Sequence, residues 1–344
     1  NTGGNTGDNT GGNTGGNTGG YTGGNTGGST GGSTGGGGYY PSGGGSTGGG
    51  STTSPSTPVT SGGSTQSTVK PTTSGSGDNK SATANVTSNA ATSLVNETKN
   101  NNRDNATVKV DAAADVKTVT AQLPASAVAT LASDTNASLT VETPVADVVI
   151  PNSSLSALGG TSGNVTVSAV KDSSDTVTVT VQKGGQTVGT LPGGMKVSVP
   201  ASSQQAQAGS GLVAVLVNAD GSETILPKSS LDGGQMNVLL ENGSATVKFV
   251  DNSKPFIDTG NHWGAGAVDF VSSRNLFQGT AEGVFSPDQP MNRAMLVTVL
   301  HRLESEPSAS VYSFSDVPTD SYYAEATAWA VSMGITNGDG GAFN

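Results

Sequence analysis

The sequence predicts a multidomain chain: a disordered Gly/Thr/Asn/Ser-rich N-terminal tract, a β-rich middle domain of mixed β with short helices, and small all-α repeats at the C-terminus. Three observations predict it. Of the 52 glycines, 25 fall in the first fifty residues; alternating apolar residues mark the middle; and helical spacing of apolar residues appears, in two copies, beyond Phe256.

From Asn1 to Gly36 the chain is nine tetrads of the form X-Thr-Gly-Gly, with one Asp8 replacing a glycine. Glycine at half the positions prevents helix propagation, and apolar side chains that could repay the entropy of ordering are almost missing. Toward residue 80 the composition shifts to Ser, Thr and Pro, as in Ser54-Pro55-Ser56-Thr57-Pro58. Residues 1–80 are therefore expected to be a flexible low-complexity linker, stiffened locally by proline. Residues 81–104 are expected to continue it as a polar linker.

The β-rich region is expected over 105–250. Val177, Val179 and Val181 alternate with polar residues, as do Met195, Val197 and Val199, the pattern of strands buried on one face. Asp220-Gly221, between Leu212–Val217 and Glu223–Leu226, marks a hairpin. A faint internal repeat places Leu123-Pro124 before a helix over Ala125–Leu131 and a strand over Leu139–Val141. Ile150-Pro151 likewise precedes a helix over Ser153–Leu158 and a strand over Val165–Val167. Proline at a helix start costs nothing, because its missing N–H has no intrahelical partner there. The region shows no phosphate loop or dinucleotide fingerprint, and reads as a spacer or small binding module.

Beyond Phe256 one helix face is expected to carry Ala267, Phe270, Val271 and Leu276. A second carries Leu296, Val299, Leu300 and Leu303, and a third Ala326, Trp329, Ala330 and Met333. The unit recurs: Phe256-Ile257-Asp258 as Phe314-Ser315-Asp316, Trp263 with Ala267 as Tyr322 with Ala326, Gly279 as Gly338, and Phe285 as Phe343.

Those landmarks resemble S-layer homology domains. The family's unit opens with Phe-x-Asp, places an aromatic before its first helix, turns through glycine to Phe-x-Pro, and starts its second helix with a Thr-Arg-Ala-Glu-like motif. Here these are Phe256 to Asp258, Trp263, Gly279 to Pro287, and Met291-Asn292-Arg293-Ala294-Met295. Met295 stands where the family has Glu, so the reciprocal capping box is lost while the Asn292 cap remains. The resemblance covers a first unit over 256–306 and a second, truncated unit over 314–344, which stops before its Arg-bearing helix. Such units commonly occur in threes, and a complete anchor is not expected within these residues.

The resemblance implies non-catalytic anchoring of an extracellular protein to the bacterial cell wall or S-layer. The implied partner is secondary cell-wall polysaccharide carrying an acidic, often pyruvylated, sugar. The carbohydrate-binding residues it points to are Asp258, Trp263 and Arg293, with Asp316 and Tyr322 in the second unit. Chemically, a guanidinium fork can hold a carboxylate, a flat ring can lie against a sugar, and a carboxylate can accept from hydroxyls. Each has a structural alternative: Asp258 bracing its loop, Trp263 anchoring a core, Arg293 pairing with a carboxylate such as Asp288.

Charge narrows the partners. The formal net charge is −11, and residues 256–344 hold ten carboxylates against Arg274, Arg293 and Arg302. Nucleic acid and anionic membrane surfaces are disfavoured. No apolar run approaches the roughly 18 residues of a membrane span. There is no cysteine, and the only histidines, His262 and His301, lack metal-ligand spacing or a nucleophile elbow. No cofactor, metal or catalytic residue is implied. The chain opens at Asn1 inside a repeat, so a secretion signal is expected upstream. A binding role for the β-rich region, and a surface hydrolase domain preceding Asn1, are the rival readings.

Overall fold

The computed structural model describes residues 57–309, 314–339 and 341–343. The glycine-rich tetrads and the Ser/Thr/Pro stretch as far as Ser56 lie outside the described residues.

From Val59 to Asp251 the chain folds into two β-sheets that share one core. The first sheet runs, in spatial order, Val59–Ser61, Ser64–Val69, Asn105–Val110, Ser138–Glu142, Asp147–Ile150, Thr190–Pro200, Gln235–Asn242 and Ser230–Asp232. The second runs Glu223–Ile225, Leu212–Val217, Ser244–Asp251, Thr176–Lys183, Asn164–Lys171, Thr118–Pro124, Ser81–Asn85 and Thr72–Ser74, with Gln186–Thr187 paired to Thr176–Lys183. Inward residues of both sheets, Val108, Val141 and Val197 from one and Val119, Val179 and Val247 from the other, meet in that core. Alternation along each strand is what makes this possible: successive side chains point to opposite faces.

The first half is built by repeated passes of strand, strand and helix. Ser64–Val69 pairs in parallel with Asn105–Val110, which pairs in parallel with Ser138–Glu142. In the other sheet Ser81–Asn85 pairs in parallel with Thr118–Pro124. Parallel neighbours need a crossover to bring the chain back, and helices α1 (Ser88–Asn100) and α2 (Ala125–Asp134) supply it. Helix α3 (Asn152–Leu158) packs on α2, which packs on α1. Contact between α2 and α3 is close enough that a Cβ on Gly159 would fall 2.6 Å from the Cα of Ala129, which explains glycine there. The second half is antiparallel, and its hairpin at Asp220-Gly221 has Gly221 at φ +83°.

Both proline-led helices are present, with Pro124 and Pro151 at their N-cap positions. The strands that follow them are present too, but join different sheets: Ser138–Glu142 enters the first sheet in parallel, and Asn164–Lys171 the second in antiparallel.

The segment expected as polar linker is not one. Residues 81–104 contain a central pass of the fold: Ala82 and Ala84 of a strand and Ala91, Leu94 and Val95 of α1 are buried in the core. The first sheet already begins at Val59, well before the expected boundary at 105. Serine and threonine carry much of this burial, with Thr65, Ser67 and Thr98 fully enclosed, so apolar periodicity is weak there.

A short helix, α4 (Ser203–Ala206), precedes the hairpin, and three more follow the sheets: α5 (Ala265–Ser273), α6 (Arg293–Leu303) and α7 (Ala324–Ser332). The expectation of all-α repeats is not supported. Turns and loops hold most of this region, and each unit carries an isolated antiparallel bridge, Ala281 with Val284 and Asp339 with Ala342.

Candidate functional site

Each C-terminal unit builds the same turn. In the first, the Asp258 carboxylate accepts the main-chain N–H of Phe285 at 3.0 Å and of Ser286 at 2.7 Å. In the second, Asp316 accepts the N–H of Phe343 at 2.6 Å. The opening phenylalanine of each unit packs on the closing one, Phe256 on Phe285 at 5.3 Å between centroids and Phe314 on Phe343 at 5.5 Å. Gly279 at φ +83° and Gly338 at φ +66° let the backbone cross under these rings. A Cβ on Gly338 would stand 2.2 Å from the Phe314 ring. The two N–H bonds to Asp258 favour its charged form and hold its carboxyl below the usual range.

Helix α6 joins the two units. Asn292 caps it, its side-chain oxygen accepting the N–H of Met295 at 2.9 Å. Its buried face, Val297, Thr298 and His301, packs toward α7, whose Ala326, Trp329 and Ala330 form a small core with Phe314 and Phe343. His301 lies 5.3 Å from the Trp329 ring and has Nε2 3.0 Å from the carbonyl of Pro307. The expected α6 face is displaced by this contact: Leu296 is 47% exposed, while Thr298 and His301 take the interior. Met333 of the third expected face is 63% exposed, and Leu276 of the first lies beyond the end of α5.

A groove of about 570 Å³ opens between the first unit's turn, α6 and the second unit's aromatic residue. Phe277, Phe285, Met291, Met295 and Tyr322 line it with apolar surface, and Arg302 supplies a cation. Arg302 donates from Nη1 to the carbonyl of Leu276 at 3.1 Å, and its Nε lies 3.7 Å from the Glu306 carboxylate.

The five residues singled out from sequence do not converge on one point. Tyr322, 64% exposed, lines the groove. Asp258 stands behind it, holding the Phe285-Ser286 rim through the N–H bonds. Arg293 lies away from the groove, with its guanidinium 4.8 Å from the Phe343 ring centroid and Nη2 donating to Thr336 at 3.1 Å, so it ties α6 to the second unit's turn, where Asp316 also acts. Trp263 is 92% exposed and 5.4 Å from the His262 ring, whose Nε2 is 3.2 Å from Asp288. Asp288 thus faces His262, the carboxylate that sequence offered to Arg293.

Sequence reasoning passed over Arg302. A signal for it exists: Met295, Thr298, Val299 and Arg302 follow helical spacing and lie on one face of α6. Among the described residues no cluster of His, Cys, Asp or Glu could hold a metal ion. The groove presents aromatic faces, hydrogen-bonding groups and one guanidinium.

Comparison with known proteins bears on the same stretch of chain. The family model described as S-layer homology domain matches residues 255–294 and 313–344. Among curated relatives, the cellulosome-anchoring protein of Acetivibrio thermocellus is 34% identical over 74 residues, which is 22% of this chain and 15% of that protein. Endo-1,4-beta-xylanase A of Thermoanaerobacterium saccharolyticum is 32% identical over 89 residues, 25% of this chain and 7% of the relative. Amylopullulanase of Thermoanaerobacterium thermosulfurigenes is 30% identical over 89 residues, covering 5% of its length. The chain thus spans only a small part of these relatives, and the matched part of the enzymes is their S-layer homology region. No solved structure matches. The matched family attaches proteins to the cell wall, which puts this chain at the cell surface.

Proposed function

From the premise that residues 255–344 hold S-layer homology units, we propose that they fasten the chain non-covalently to secondary cell-wall polysaccharide. An acidic, pyruvylated sugar sits in the groove between turn and helix. Tyr322 and Phe285 give it apolar faces, and the remaining donors of Arg302 meet its carboxylate. Trp263 extends the contact along the glycan by stacking from its exposed position. Asp258 and Asp316 brace the two turns, and Arg293 keeps the second turn against α6. The role is non-catalytic, with the β-rich body as spacer and the N-terminal tract as tether.

The observation that carries this reading is the groove itself, an apolar cleft with one cation in a region where carboxylates outnumber arginines ten to three. Sedimentation of the full chain with purified cell walls tests it. Retention on intact walls, and its loss on walls stripped of secondary polysaccharide, is the expected result. Equal recovery in the supernatant with either wall would overturn it.

A second reading has its own motive. The two-sheet body from Val59 to Asp251 has an extensive core and exceeds what a spacer requires. In that reading it is an adhesion or ligand-binding module that the anchor merely retains. Glycan and protein arrays probed with the full chain separate the two, since signal surviving excess free wall polysaccharide belongs to the β-rich body.

A further inference from the structure

Arg274 is a buried cation that neither the turn nor the groove uses. It ends α5 and is 2% exposed. Its donors are spent on four main-chain carbonyls and one hydroxyl: Nε to Ser229 at 2.8 Å, Nη2 to Leu212 at 3.0 Å, and Nη1 to Ser210 at 3.0 Å, Phe270 at 3.0 Å and Ser273 Oγ at 3.1 Å. Three of those carbonyls, Ser210, Leu212 and Ser229, belong to the β-rich body, outside the S-layer homology match. The guanidinium also covers the Phe270 ring at 3.7 Å.

Neighbouring contacts cross the same boundary. Ser273 Oγ donates to the carbonyl of Ser210, the Asn252 amide donates to the carbonyl of Ser273, and Lys228 pairs with Glu304 at 2.7 Å. Internal repetition makes Arg274 distinctive. Trp263 to Ala267 becomes Tyr322 to Ala326, and the same offset carries Arg274 to Met333, which is largely exposed. The repeated unit does not need an arginine here; the joint does. A desolvated guanidinium is tolerated only where its donors are satisfied, and a planar fork can reach several carbonyls that a lysine's point charge cannot.

We propose that Arg274 is the positioning residue that locks the first S-layer homology unit onto the β-rich body, so that anchor and spacer unfold and move as one rigid piece. Arg274 is followed directly by the groove wall, Leu276 to Thr280, so the joint also holds the groove in shape. This last consequence rests on the wall-anchoring reading; the joint itself does not.

The chain carries its own reporters. Its two tryptophans, Trp263 and Trp329, both lie in the C-terminal units, whereas the β-rich body from Val59 to Asp251 has Phe249 as its single aromatic residue. Tryptophan fluorescence therefore reads the anchor, and far-ultraviolet circular dichroism reads mainly the sheets. Urea unfolding of the full chain is expected to give coincident curves by the two probes. Arg274→Ala separates them, with the fluorescence midpoint falling and the dichroism midpoint nearly fixed. Arg274→Lys separates them less, and Lys228→Ala, which removes only the exposed ion pair, leaves them together. Where Arg274→Ala does not accumulate folded, Arg274→Lys decides.

Separate curves in the parent chain, or coincident curves in both Arg274 variants, would overturn the joint; a uniform loss of stability moves both probes equally and counts against it. In wall sedimentation Arg274→Ala is expected to lower retention several-fold. If the parent chain itself does not sediment, the anchoring reading fails and the unfolding curves alone judge the joint.

Discussion

At Asp258 two main-chain N–H groups converge on one carboxylate, and its protonation behaviour follows. Those bonds favour the ion, so the folded pKa lies below that of the unfolded chain. The stabilisation is complete above the ordinary carboxylate range and is lost as pH falls through the folded value. The protection of the Phe285 and Ser286 amides, measured against their intrinsic exchange rates, is expected to fall on acidification, and Asp258→Asn should flatten that response. Substitution at Gly338 tests the turn by sterics: alanine there must hold φ +66° against the Phe314 ring, costing about 1–3 kcal/mol in urea unfolding followed by fluorescence. Trp263→Ala separates binding from folding, because its ring is exposed. Stability should stay within about 0.5 kcal/mol while wall retention falls. Arg293→Ala leaves the Asn292 cap intact and helix content unchanged, but removes the bond to Thr336 together with a ring contact worth about 0.5–1 kcal/mol, which thermal or urea unfolding followed by fluorescence reads. Phe-x-Asp and the paired glycines were readable in sequence because backbone geometry demands those residue types. The destination of Arg293 was not, since a side chain's partner across two units leaves no mark on local spacing.

Elements were legible wherever period and punctuation agreed. Val177 to Val181 alternates and is a strand; Pro124 and Pro151 open helices; Asp220-Gly221 turns a hairpin. Helix α1 escaped notice because its buried face rests on Ala91, Leu94, Val95 and Thr98 amid polar neighbours. In α6 the element was evident but its rotation was wrong, because Trp329 draws His301 inward and leaves Leu296 outside. Tertiary contact overrides a hydrophobic stripe when the interior offers the imidazole both a ring, that of Trp329, and a carbonyl, that of Pro307. The strand Ser138–Glu142 provides a further test. Burial, and then the charge of Asp147, raise the Glu142 carboxyl above its usual range. Folding thus favours the protonated form, so the ionised group is a burden at neutral pH that disappears on acidification. Glu142→Gln is expected to raise the urea midpoint at pH 7 and leave it unchanged at pH 3. The lost pairing with Lys109 at 3.9 Å is exposed and contributes little.

For the whole molecule, composition foretold a β-rich middle followed by repeated units, and the fold agrees at that level. Which strands lie side by side was hidden, because parallel passes set Asn105–Val110 between strands some forty residues upstream and thirty downstream, a separation with no local sequence signal. Also hidden was the docking of anchor on body through Arg274, since main-chain carbonyls, its partners, exist in every sequence. The order of the strands has a mechanical meaning. The chain enters the first sheet at Val59–Ser61, an edge strand paired on one side, and leaves the second through Ser244–Asp251, flanked on both sides. Opening the first sheet at its entry strand breaks pairing with one neighbour, whereas releasing the exit strand of the second breaks pairing with two.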